Sequence, residues 1–257
     1  MNTTALRALQ ITGLLSVASS TMTAAEEYTE TFTVAASSSF SAVGWNVYLL
    51  ADNGDVNDLS TSSGEPAEIF LTDYAYIRTA ITGYSTQDGP GLMFTTEPTT
   101  ELVTTSLSSI SKLSVGVRAD STDGAPATGR FAIQIGSQWY VSSLSISQTT
   151  HFGPPSSTNP ATDFPTFETP NLFDFTDGNN WHELTVITGA GGEISIAAST
   201  AGGTLSGDVT AFGVYAENGN NGDHFRIDNF TVVVPEPSTF ILPSIIGIGL
   251  MMRRRRN

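Results

Sequence analysis

The chain has 257 residues and no cysteine, which rules out thiol catalysis, disulfide scaffolds and cysteine-based zinc sites. It carries 25 acidic against 10 basic residues, and within 26–234 the balance is 24 carboxylates against Arg78, Lys112, Arg118, Arg130 and Arg226, a net charge near −19. Such a surface repels nucleic acid and anionic lipid and offers no basic patch for phosphate, so nucleic acid is not an expected partner.

Arg7 is the sole charge before Glu26, and residues 8–18 form a modestly apolar run with Leu9, Ile11, Leu14, Leu15 and Val17. Small residues follow, ending in Thr23-Ala24-Ala25 before Glu26-Glu27. This predicts a secretory signal peptide over 1–25, a short helix removed by a cut after Ala25. Residues 26–234 are left as one domain, long enough to bury a core without disulfides.

Across that domain, short alternating apolar segments separated by turn residues predict antiparallel strands. Phe32-Thr33-Val34 opens the series, and Trp45, Val47 and Leu49 form the next. Further strands are predicted around Ile69, Ala75, Leu113 to Val117, Phe131 to Ile135 and Trp139 to Val141, then at Leu184, Ile194, Phe212 and the closing Phe225 to Val234. No segment sustains a helical repeat. Between two of these strands, Asp52-Asn53-Gly54-Asp55-Val56-Asn57-Asp58 reads as a calcium loop or an Asx-rich turn; it lacks a glutamate at the twelfth place and flanking helices.

Residues 147–180 hold Pro154, Pro155, Pro160, Pro165 and Pro170, which predict a long strand-free surface excursion. Phe152, Phe164, Phe167, Phe173 and Phe175 predict that it packs on the domain. Glu217-Asn218-Gly219-Asn220-Asn221-Gly222-Asp223 reads as a hairpin loop before the last strand. Within that strand Phe225 and Ile227 alternate in one phase and Phe230, Val232 and Val234 in the other. One extra residue near Asp228-Asn229, a β-bulge, reconciles the two.

The chain closes with Pro235-Glu236-Pro237, an apolar run over 240–252, and Arg253-Arg254-Arg255-Arg256. The apolar run makes roughly 20 Å of helix at 1.5 Å per residue, short of the roughly 30 Å bilayer core. It is a marginal anchor, with the arginines on the cytoplasmic side. The two prolines keep the tripeptide extended and accessible.

These three parts together resemble the PEP-CTERM sorting signal. The resemblance implies an exosortase, a membrane-embedded cysteine protease or transpeptidase, as processing partner. It implies Pro235, Glu236, Pro237, Arg253, Arg254, Arg255 and Arg256 as sorting residues, with transient inner-membrane attachment through 238–252. Delivery to the cell envelope or extracellular matrix follows, in company with exopolysaccharide. An ordinary membrane anchor is the alternative.

Arg130-Phe131-Ala132-Ile133-Gln134-Ile135-Gly136, Trp139-Tyr140-Val141, Asn180-Trp181-His182-Glu183-Leu184 and Phe225-Arg226-Ile227-Asp228-Asn229-Phe230 look like strands of the concanavalin-like and galactose-binding-like sandwiches. The resemblance implies an all-β, antiparallel jelly-roll β-sandwich. It also implies a structural Ca²⁺ shared by Glu30 and Asp228; the plainer reading has Asp228 satisfying backbone donors in the bulge. Sugar rings stack on exposed aromatic faces, and Trp45, Tyr48, Trp139, Tyr140 and Trp181 are the available platforms, or else core residues.

His151, His182 and His224 lack metal-ligand spacing, no Gly-x-Ser-x-Gly elbow occurs, and Glu183 stands without a paired carboxylate, so no enzyme is expected. Three functions stay open: a carbohydrate-binding matrix protein associated with extracellular polysaccharide, a passive structural matrix protein, and a glycoside hydrolase.

Overall fold

The computed structural model describes residues 25–33, 38–51, 53–62, 67–70, 74–78, 89–120, 128–146, 164–217 and 224–235. All lie within the compact unit Ala25–Pro235. Its strands are β1 (Glu26–Glu30), β2 (Trp45–Leu50), β3 (Val56–Asp58), β4 (Ala67–Phe70), β5 (Tyr74–Arg78), β6 (Gly91–Thr95), β7 (Lys112–Asp120), β8 (Gly129–Ile135), β9 (Gln138–Ser142), β10 (Thr166–Glu168), β11 (Trp181–Ile187), β12 (Glu193–Thr200), β13 (Val209–Ala216) and β14 (His224–Val234). A single turn of α-helix, α1 (Pro98–Glu101), interrupts them. The fold is all-β, antiparallel and sandwich-like. Among the described residues no helix is long and apolar enough to cross a membrane.

The smaller sheet runs β10-β7-β14-β5-β4, with β1 also pairing on β14; the larger runs β12-β11-β9-β8-β13-β6-β2-β3. Side chains from both sheets share one core, in which Trp45 and Phe131 of the larger sheet join Val115, Phe225 and Phe230 of the smaller. The larger sheet also curls. Val56 at its β3 edge and Gly189 in the β11–β12 turn exchange backbone hydrogen bonds of 3.0 and 2.9 Å. The curl encloses a second apolar cluster, including Leu92, Phe94, Trp139, Leu184 and Tyr215.

The bulge in β14 is present. Asp228 pairs with Gly116 and Thr231 with Ser114, so three steps on β14 match two on β7. Asn229 takes the extra place at φ 50°, a left-handed conformation that Asn tolerates better than most residues. Phe225, Ile227, Phe230, Val232 and Val234 all reach the main core as a result.

Three expectations are corrected. The first strand is Glu26–Glu30, and Phe32 lies beyond it, buried at φ 51°. The excursion is not strand-free: Thr166–Glu168 pairs with β7 between Pro165 and Pro170. An edge strand leaves one side unpaired, which is where flanking prolines are tolerated. Finally, β13 and β14 belong to different sheets and form no hairpin; residues 218–223 lie outside the described residues. Phe164 and Phe175 are buried and Phe167 and Phe173 partly so, as expected of a packed excursion; Phe152 lies outside the described residues.

Candidate functional site

The three tryptophans are core residues. Trp45 and Trp181 are 0% exposed and Trp139 is 6% exposed. Trp45 lies edge-on to Phe32 at 4.9 Å and to Phe230 at 5.3 Å between ring centroids. Trp181 packs on Phe173 and Phe175 and donates its Nε1–H to the Phe175 carbonyl at 2.9 Å. Trp139 sits edge-on to Phe94 at 4.9 Å in the second cluster. A sugar needs an open aromatic face, and none of Trp45, Trp139 and Trp181 presents one in this structure. Alternation sends neighbours to opposite faces, but both faces of the larger sheet carry a core.

Two tyrosines differ. Tyr140 is partly exposed and pairs across strands with the exposed Glu183. Tyr48 is partly exposed, pairs with the exposed Asp58, and rests on Phe94 at 5.2 Å. Burial first, and then the facing carboxylate, raises each phenol above its ordinary pKa. Each pair sets a partly exposed phenol ring beside a carboxylate acceptor.

Glu30 and Asp228 project to opposite faces of the smaller sheet. Glu30 pairs with Phe230 and, two residues from the buried Tyr28, shares its core-side face. Asp228 pairs with Gly116, whose missing Cβ would meet Phe164 on the opposite face. The Glu30 carboxylate accepts the Phe32 N–H at 2.6 Å. Burial, and then the charges of Glu97 and Glu101, raises its pKa. Asp228 accepts from the Asn229 backbone N–H at 2.8 Å and from its Nδ2 at 2.6 Å. Among the described residues no group of three or more His, Asp or Glu is gathered as a metal cluster.

Beside Glu30 lies a tight polar knot. Glu97 folds its carboxylate where a Cβ on Gly44 would stand, and Gly44 holds φ 71°, a backbone conformation that favours glycine. Thr95 Oγ1 donates to Gly44 O at 3.1 Å and accepts the Glu97 N–H at 3.0 Å. The buried Tyr28 hydroxyl and Trp45 Nε1 approach each other here without reaching hydrogen-bond geometry.

Sequence reasoning missed a third cluster. Arg118 and Arg226 are cross-strand neighbours, both buried on the outer face of the smaller sheet with Tyr74, Tyr76 and Phe164. The Arg226 guanidinium lies 5.7 Å from the Tyr74 ring centroid. Desolvation, helped by the Arg118 charge and opposed by Tyr74 and Tyr76, lowers its pKa to about 10. The signal was Arg226 itself, a charge between core residues Phe225 and Ile227 in a central strand. Among the described residues, Tyr74, Tyr76 and Phe164 form the aromatic layer on this face.

The loop after β2 is an Asx turn. Asn53 Oδ1 accepts the Asp55 N–H at 3.1 Å, and Asp55 Oδ1 accepts the Gly191 N–H at 3.0 Å, tying the loop to the β11–β12 turn; Asp52 lies outside the described residues. His182 Nδ1 lies 3.0 and 3.1 Å from the Ala197 and Ser199 carbonyls, which makes it a donor. Pro235 is exposed directly after β14, while Glu236, Pro237 and Arg253, Arg254, Arg255 and Arg256 lie outside the described residues. Compared with known proteins, the chain matches no family model and no curated protein.

Proposed function

We propose that the chain is exported, held at the inner membrane by its C-terminal segment, cut at Pro235-Glu236-Pro237 by an exosortase-type enzyme, and delivered to the envelope or extracellular matrix. There its β-sandwich, a jelly-roll variant with first and last strands paired, serves as a structural body. The observation that carries the reading is Pro235: the last strand stops at Val234 and the tripeptide begins exposed, outside any ladder. A protease binds extended, unpaired backbone, and two prolines maintain that state. Burial of all three tryptophans favours a structural role over a lectin-like one. Changing Pro235-Glu236-Pro237 to alanines leaves an uncut, membrane-held chain; an intact mass equal to that of cleaved wild type would overturn the reading.

A second reading, association with extracellular polysaccharide, is carried by the Tyr140–Glu183 pair. On this reading the domain co-sediments with the producing cell's polysaccharide, and Tyr140→Ala weakens binding by about tenfold, the scale of one lost stacking contact. Sedimentation unchanged by Tyr140→Ala and Tyr48→Ala rejects it.

A further inference from the structure

Val103 and Leu172 are 82% and 101% exposed, and with Ile187 at 53% they are the large apolar side chains the described residues leave in solvent. Leu172 is the stranger of the two. The Phe173 N–H donates to the Pro170 carbonyl at 2.9 Å, closing a four-residue turn with Leu172 third at φ 73°. That turn position favours glycine or asparagine, because a Cβ is crowded there. A leucine in this place carries apolar surface outward in a conformation that disfavours it.

Strand pairing brings both residues to one end of the smaller sheet. Val103 donates its N–H to Glu26 Oε2 at 2.7 Å, and Glu26 pairs with Val234, the residue before Pro235. On the other side of β14, Val233 pairs with Lys112, and Leu113 exchanges hydrogen bonds with Thr169, just ahead of the Leu172 turn. From β1 to β10 is three strand spacings, about 15 Å. Pro235 therefore emerges between Val103 and Leu172. Ile187 ends β11 on the other sheet.

We propose that this end of the smaller sheet is a lipid-facing surface, whose Val103 and Leu172 enter the headgroup layer of a zwitterionic bilayer while the tail holds the chain. The proposal rests on the transient membrane attachment set out above. Covalent reach supports it: residues 235–239 separate Val234 from the apolar run, and five extended residues span about 17 Å at most. Charge selects the lipid. Glu26 and Glu27 stand at this end, and Lys112 is already paired with Glu168 at 3.1 Å, so anionic headgroups are repelled.

The absence of cysteine makes the test specific. An environment-sensitive dye is attached to Leu172→Cys, Val103→Cys or, as control, Ile187→Cys in the full chain reconstituted into phosphatidylcholine vesicles. The expected result is blue-shifted emission from the first two sites and aqueous emission from the third, with the shift reduced when phosphatidylglycerol is added. Vesicle flotation reports attachment separately. Aqueous emission from both Leu172→Cys and Val103→Cys on a chain that floats overturns the surface and leaves the attachment standing. A chain that fails to float overturns the attachment, and the proposal with it.

Discussion

Trp45 and Trp181 are equally buried but differ at the indole nitrogen, and the difference is measurable. Trp181 Nε1 satisfies the Phe175 carbonyl, whereas Trp45 Nε1 meets no acceptor in hydrogen-bond geometry. Removing one partner of a buried hydrogen bond strands the other at about 1–3 kcal/mol. Trp181→Phe is therefore expected to cost that much more than Trp45→Phe in urea unfolding; equal costs would remove the distinction. Glu30 supplies a second residue-scale prediction. Burial and the charges of Glu97 and Glu101 raise its pKa in the folded chain, so the folded state keeps the proton to higher pH than the unfolded state. Its contribution to stability is complete below the ordinary carboxylate value of 4.5 and is lost as pH rises through the raised value. Glu30→Gln should raise Tm near neutral pH and flatten the decline between acid and neutral pH. A variant with the wild-type slope would show that Glu30 does not cause it.

At the scale of elements, the β14 bulge shows what a sequence can reveal. A phase change between Ile227 and Phe230 is visible because every second residue must reach one core, and only an inserted residue satisfies both halves. Deleting Asn229 would turn Phe230, Val232 and Val234 to the wrong face and should prevent folding. Asn229→Gly, which keeps the count and suits φ 50°, should fold with a stability change of about 1 kcal/mol or less. Near-UV circular dichroism separates the two outcomes, and a folded deletion variant would refute the register. Other elements stayed hidden for physical reasons. All five residues of β6 are buried, so no alternation marks it. In β1, three glutamates in five residues mask an edge strand whose Tyr28 alone is deeply buried. Alternation could not decide between platform and core for the tryptophans, because it assigns a face and cannot say that both faces of a curled sheet are covered. Arg118 and Arg226 entered the sequence reading only as counted charges, and the layer over the outer face left Arg226 between Phe225 and Ile227 as its one trace.

For the whole molecule, the expected leader and the proposed sorting tail rest on contiguous patterns of charge, apolarity and proline, whereas a ligand site depends on distant side chains meeting. Glu30 and Asp228 show the limit, because they lie near one another in pairing register and yet face opposite sides of their sheet. The first and last strands lie side by side, so trimming at Ala25 and at Pro235 would leave both new ends on one edge of the domain without cutting into the ladder. The most direct test of this account is the intact mass of the protein recovered from the envelope or the medium. The account predicts one species that begins at Glu26 and ends near Pro235-Glu236-Pro237. Recovery of the full 27.1 kDa chain, with Arg253-Arg254-Arg255-Arg256 still attached, would contradict it.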